Sequence, residues 1–316
     1  MNQKTITVVG SYLVALVMET KRIPLRGETL MAKNFRTTHG GKGSNQAIQA
    51  ARLNASVKFV GRIGNDSFGK CFLDLLDAEN INRDFVFISN DLPTGAGFIV
   101  SAADGYNLIT IDIAAIRDFT PKDIDIALPA DMNRDTVLAQ LEIPLETALY
   151  ALELSKLRGA FTIFNPAPAA CLSDHSLAFV DILTPNETEA RICLGLSPDD
   201  ARADEEIAIE LLKTGCRNAV ITLGENGCLW AHDGTVESID AFYIPKVVDS
   251  TGAGDAFNAA LAVAVSEGKP IREALRFANA AGALSVSKAD TIPSYHIRAQ
   301  VDFFIGRSPR LNSTVV

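Results

Sequence analysis

The stretch Asp249-Ser250-Thr251-Gly252-Ala253-Gly254-Asp255 sets two glycines and an alanine directly before an Ala-rich run. A helix opening there, near Asp255, turns outward backbone N–H groups that have no intrahelical acceptor and no side chain over them. Those donors and the positive end of the helix dipole make an anion site. Asp255 stands at its lip. A carboxylate there repels a phosphate that merely binds. It is well placed, however, to take a proton from a hydroxyl while Gly252, Ala253 and Gly254 stabilise charge on a phosphoryl group in transfer. The alternative is an Asp that only caps a helix after a Gly-rich turn.

A second cluster, His39-Gly40-Gly41-Lys42-Gly43-Ser44-Asn45-Gln46-Ala47, opens another Ala-rich helix, expected to run through Ala55. Its order is neither that of a GxxxxGK[ST] phosphate loop nor that of a GxGxxG dinucleotide fingerprint. Gly40 and Gly41 let the backbone come close to a ligand, while Lys42 and Asn45 supply fixed polar contacts. A tight turn carrying an exposed lysine is the alternative.

An α/β framework has to position these residues. Short β-branched runs at 5–9, 57–60, 137–141, 162–164, 182–183, 219–222 and 243–248 alternate with helical stretches at 68–77, 144–158, 187–194, 205–214 and 271–288. That alternation predicts a mostly parallel sheet covered on both faces. Two regions break it with hairpin-like strands, 12–18 with 30–38 and 95–101 with 107–113, the second closed by a turn at Ala103-Asp104-Gly105.

A chain of 316 residues, 47% of them hydrophobic, can bury a large core. Its net charge of −9 argues against nucleic acid or an anionic membrane as partner. Five cysteines (Cys71, Cys171, Cys193, Cys216, Cys228) are widely spaced, with no C-x-x-C pair, and read as reduced core thiols of a cytoplasmic protein. No run has the character of a signal peptide or membrane span. His39, His175, His232 and His296 show no metal-ligand spacing, and His39 reads as a loop residue. The polar tail from Arg307 is expected to fray.

Together the two glycine clusters resemble the paired motifs of the ribokinase-like (PfkB) carbohydrate kinases, and the resemblance extends along nearly the whole chain. Gly10-Ser11 ends the first strand, and Pro24 with Gly27-Glu28-Thr29 matches a P-x-x-G-E-T step. Gly61 to Gly69, Gln140-Leu141-Glu142-Ile143-Pro144, Asn165-Pro166-Ala167-Pro168-Ala169 and Thr184-Pro185-Asn186-Glu187-Thr188-Glu189 follow in the family's order. Ile221-Thr222-Leu223-Gly224 with Gly227 completes the series on the nucleotide side. The resemblance implies a three-layer fold in a single domain over 1–316, with lid strands within about 12–38 and 94–113 and a homodimer formed through the lid.

The resemblance also implies roles. Asp255 would be the base acting on a hydroxymethyl group, with the N–H groups of Gly252, Ala253 and Gly254 as the anion hole. Gly40, Gly41, Lys42, Asn45 and Glu142 would serve the sugar. Thr222, Gly224, Gly227, Asn186 and Asn279 would serve ATP, with Asn279 near the adenine. Asn186 and Glu189 would orient the water shell of Mg²⁺, although Asn-x-x-Glu after Pro185 is equally a helix capping box, and Asn279 equally a helix–helix contact. Asp249 and Thr251 would lie at a K⁺ site.

Departures from the pattern bear on the substrate. Family members that phosphorylate ribose read G-S-x-N-x-D where this chain has Leu13 and Ala15 at the Asn and Asp positions. Each lost charged hydrogen bond costs roughly 1.5–3 kcal/mol. Asp290 stands where a glycine is usual beside the cation site. The reading is therefore an ATP-dependent kinase of a small sugar or sugar-like alcohol. A nucleoside or deoxysugar kinase, or a non-catalytic sensor on the same fold, remains the alternative.

Overall fold

The structure is a computed structural model describing residues 4–103, 106–173 and 175–307. The larger of its two sheets contains β1 (Thr5–Val9), β4 (Ser56–Gly64), β5 (Asn82–Ser89), β8 (Thr136–Ala139), β9 (Phe161–Phe164), β10 (Ile182–Leu183), β11 (Asn218–Thr222), β12 (Cys228–His232) and β13 (Thr235–Ile239). Their spatial order is β13-β12-β11-β10-β9-β8-β1-β4-β5. Pairing is parallel from β5 to β11, and β12 and β13 return antiparallel at one edge. The smaller sheet, ordered β3-β2-β6-β7, is built from β2 (Leu13–Thr20), β3 (Lys33–Gly40), β6 (Ala96–Ala102) and β7 (Asn107–Asp112).

Strict alternation along the central strands explains the layering. Ile6, Val8, Leu138, Ile163, Ile182 and Val220 point into one buried cluster, whereas Val9, Val137, Ala139, Phe164, Leu183 and Ile221 point into the other. Successive strand residues face opposite sides, so both faces of this sheet demand a helical cover. The first cluster is closed by α1 (Lys42–Arg52), α2 (Ser67–Ala78), α7 (Ala253–Ser266), α8 (Ile271–Ser285) and α9 (Arg298–Arg307). The second is closed by α3 (Pro121–Ala127), α4 (Leu145–Leu157), α5 (Glu187–Cys193) and α6 (Asp204–Leu212). This is a three-layer α/β fold. No described helix is long and apolar enough to cross a membrane.

Several expectations are corrected. Residues 243–248 are irregular rather than a strand. Pro245 removes a ladder donor, and Tyr243, Val247 and Val248 are exposed. The helix after them starts at Ala253, near Asp255 as expected, with Gly252 at φ 81 turning the chain into it. The first helix ends at Arg52, and Asn54 at φ 69 turns the chain before Ala55. Cys71 and Cys171 are exposed, while Cys193, Cys216 and Cys228 are buried. His39 lies at the end of β3 and not in a loop, its Nδ1 2.9 Å from the Tyr12 hydroxyl. The turn residues Asp104 and Gly105, and the tail beyond Arg307, lie outside the described residues.

Candidate active site

Two helix N-termini converge at the C-terminal ends of the parallel strands, the place where open α/β sheets bind ligands. Asp255, in the first turn of α7 and 6% exposed, accepts from Asn45 Nδ2 on Oδ2 and from Gln46 Nε2 on Oδ1, both at 2.9 Å. Both amides come from the first turns of α1.

Close packing of the chain on itself brings α1 there. A Cβ at Gly43 would lie 2.5 Å from Ser11 N, and one at Gly41, where φ is 94, would lie 2.9 Å from Leu13 N. At Gly40 it would stand 3.4 Å from Leu13 O. What comes close to this glycine cluster is the segment leaving β1, and the closeness seats Lys42. The Lys42 backbone N–H donates to Glu142 Oε2 at 2.7 Å, and Ser11 Oγ donates to the same oxygen at 2.5 Å.

The Lys42 ammonium lies among Asp255, Glu142 and Glu189. Desolvation pulls its pKa down, but those carboxylates outweigh it and hold the ammonium above its ordinary value. Desolvation raises the pKa of Glu142 against the bonds from Ser11 and Lys42, and raises that of Glu189 against its bond from the Asn186 backbone.

At α7 the glycines behave differently. A Cβ on Gly252 would meet Tyr295 Oη at 2.7 Å, and that hydroxyl donates to the Gly252 carbonyl at 3.2 Å. Gly254 has no heavy atom within 4 Å of where its Cβ would stand. Of the three N–H groups expected to form the hole, that of Ala253 bonds to Ser250 O at 3.2 Å. Among the described residues no acceptor faces those of Gly252 and Gly254.

At the start of α5 Asn186 and Glu189 form the capping box, each side chain accepting from the other's backbone N–H at 2.8 and 2.9 Å. Thr222 bridges to Asn186, and its N–H donates to Pro185 O. Gly224 (φ 57) is open, while a Cβ on Gly227 (φ 85) would strike Ile239 O at 2.1 Å. Asn279 contacts a strand end rather than another helix, donating to the carbonyls of Ile239 and Asp240 at 3.1 Å. Gly227 and Asn279 are thus brought together at the end of β13.

Asp249 accepts from Thr251 N on one oxygen and from Asp290 N on the other, at 2.9 and 3.0 Å. Desolvation raises its pKa, but the bonds from Thr251 and Asp290 and the charge of Arg36 prevail and lower it. Asp290 adopts φ 64, and its carboxylate meets Arg36 of β3 at 3.1 Å. Leu13 is buried with Val9, Val60 and Ile116, while Ala15 is half-buried opposite Thr38.

Sequence reasoning missed Ser11, Gln46, Gln140 and Asn165 as members of this polar cluster. All lie inside stretches singled out by their motifs, but nothing local tells an amide that faces a carboxylate from one that faces solvent.

Comparison with known proteins assigns the class. The model of the pfkB family of carbohydrate kinases matches residues 3–298, and the chain belongs to that family: it is a carbohydrate kinase, a phosphotransferase. It is 35% identical over 303 residues to a ribokinase of Haemophilus influenzae, covering 96% of this chain and 99% of that protein. A deoxyribokinase of Salmonella typhi is also 35% identical, over 291 residues, covering 92% of this chain and 95% of that one. Among solved structures, ribokinase of Thermotoga maritima is similar with a TM-score of 0.87 at 32% identity, covering 96% of this chain and all of that one (100%). Arabidopsis thaliana ribokinase complexed with ribose and ATP gives 0.85 at 33% identity, covering 96% and 99%. Within its family this chain is a ribokinase-like sugar kinase.

Proposed function

We propose that the chain transfers the γ-phosphoryl group of ATP to a hydroxymethyl group of a small sugar, with Asp255 as general base. The observation that carries this is the buried Asp255 carboxylate, held by Asn45 and Gln46 beside the uncommitted N–H groups of Gly252 and Gly254. Asp255 takes the hydroxyl proton, the alkoxide oxygen bonds to the γ-phosphorus, the bond to the bridging oxygen breaks, and ADP leaves. The two N–H groups meet charge building on the phosphoryl oxygens. Gly40, Gly41, Lys42, Asn45 and Glu142 form the sugar side; the buried Asn45 Oδ1, which has no partner among the described residues, is an acceptor for a sugar hydroxyl. Asn186, Thr222, Gly224, Gly227 and Asn279 form the nucleotide side, a reading supported by the ATP of the Arabidopsis complex.

Mg²⁺ keeps several waters and neutralises charge on the phosphates that hold it. Glu189, with one carboxylate oxygen on the cap, and Asn186 would orient that water shell. K⁺ fits less well. Both Asp249 oxygens already accept N–H bonds, and Arg36 places a fixed positive charge on Asp290.

The small sheet, read as the lid of a single kinase domain, exposes Phe35 and Phe98, and also Ile109 and Ile111, which the register sets on the face opposite Phe98. We take the exposed apolar residues of this sheet to pair two copies.

A second reading, a deoxysugar acceptor, is favoured by Leu13 and Ala15, which offer no hydrogen bond to a sugar hydroxyl. ADP release with Mg-ATP is measured for ribose, 2-deoxyribose, fructose and nucleosides, each with and without K⁺. A sugar is expected to win, with at most a small response to K⁺. If 2-deoxyribose wins by tenfold or more in kcat/KM, the equivalent of about 1.4 kcal/mol, the second reading holds. Silence on every sugar sinks both.

A further inference from the structure

Asn45 is not the only group that holds Asp255. Gln46, fully buried, donates from Nε2 to Asp255 Oδ1 at 2.9 Å and to Asn165 Oδ1 at 3.2 Å, while its Oε1 accepts from Gln140 Nε2 at 2.5 Å. Gln46 and Asn165 are each oriented by an acceptor that cannot donate, the Asp255 carboxylate and the Thr184 carbonyl, and Gln140 by Gln46 Oε1; Gln140 Oε1 itself has no partner among the described residues. An ionised Asp255 requires the Nε2 end of Gln46, so Gln46 Oε1 must face a donor, which is Gln140 Nε2. On the other side Asn165 Nδ2 donates to the Thr184 carbonyl at 2.9 Å, which leaves Asn165 Oδ1 toward Gln46. Gln140 is 0% and Asn165 6% exposed, so the brace is shielded from water. Asn45 differs: its Nδ2 donates to Asp255 Oδ2, but its Oδ1 has no partner among the described residues, so no further amide braces it from behind.

We propose that Gln46 is a positioning residue for phosphoryl transfer. Braced by Gln140 and Asn165, it holds Asp255 Oδ1 as a permanent acceptor and leaves Oδ2, beside Asn45, as the oxygen that takes the substrate proton. The inference rests on Asp255 being the base. A hydrogen bond to each oxygen and a braced chain of amides give the carboxylate one orientation.

The test is Gln46→Met, close in shape but without the donor, alongside Asp255→Asn. Losing one hydrogen bond to a charged group moves the acid limb of the pH–kcat profile up by about one to two pH units. Below the shifted limb kcat falls about 10- to 100-fold, while acceptor KM and ATP affinity stay within a factor of about two. Lys42 from α1, Glu142 after β8, Glu189 from α5 and Tyr295 also face Asp255 and are unchanged in the variant. If Gln46→Met does not fold, Gln140→Met, which never touches Asp255, is expected to move the same limb upward by a smaller amount. A lower Tm with the pH limb unmoved in the variant that folds makes the brace merely structural and overturns the proposal. Turnover by Asp255→Asn at the wild-type rate overturns the base reading instead. Loss in Asp255→Asn with Gln46→Met unaffected removes only the role of Gln46.

Discussion

The two glycine clusters have similar compositions and opposite uses. In Gly40-Gly41-Lys42-Gly43 the missing side chains let α1 press against the segment leaving β1; a Cβ on Gly43 would lie within 2.8 Å of both Gly10 Cα and Ser11 N. In Gly252-Ala253-Gly254-Asp255, Gly252 supplies a left-handed turn, while Gly254 faces open space. One cluster makes room for the protein's own backbone. The other leaves one position, Gly254, open. Glycine in a motif therefore has no single meaning: its neighbours in space decide whether it serves packing or a ligand.

The largest effect is expected at the carboxylate joining the two clusters. Asp255→Asn should lower kcat about 10²- to 10⁴-fold in coupled ADP release, with ATP affinity by calorimetry unchanged. Wild-type turnover in this variant would make the α7 cluster a mere cap.

The comparison itself is sharpened by one methyl group placed in each cluster. Gly43→Ala should lower stability by about 1–3 kcal/mol or more, seen as a fall in Tm, because the methyl meets backbone. Gly254→Ala should leave Tm unchanged and cut kcat about 100-fold by standing where the phosphoryl group would come. The reverse pattern would dissolve the distinction.

A smaller effect lies in the strap tying the clusters together. Tyr295 Oη donates to Gly252 O, and Gln49 of α1 donates to His296 O. Desolvation, with the charges of Lys288 and Arg52 and against a bond from the imidazole to the Ser294 backbone, pushes the His296 pKa down to about 4. The unfolded chain, with an ordinary value near 6.5, then binds the proton more readily than the folded one. Stability from this residue is present above about pH 6.5 and is lost as pH falls toward 4, by up to about 3 kcal/mol. His296→Met should flatten urea-derived stability over that window; an unchanged acid slope would mean the imidazole is not responsible.

Much of the framework was legible in the chain. Runs such as Thr5–Val9 and Asn218–Thr222 are apolar on both sides of a strand and therefore call for helices above and below. β5 was missed because it opens with the polar Asn82-Arg83-Asp84 at a sheet edge, and residues 243–248 misled because apolar composition is not pairing. In the candidate site, Lys42, Asn45 and Asp255 were legible from spacing and residue type, and Glu142 from the resemblance alone. Gln46, Gln140 and Asn165 were not, since each is ordinary by itself and acquires meaning only from the amide or carboxylate it faces.

The order of motifs along the chain was enough to settle the family and the three-layer architecture, because periodicity and glycine placement act over a few residues. The tertiary structure decided which glycines pack and which stay open, that Arg36 and Asp290 meet across 254 positions, and that an amide chain stands behind Asp255. Those contacts join residues distant in sequence, and direction and distance in space exist only once the layers have closed.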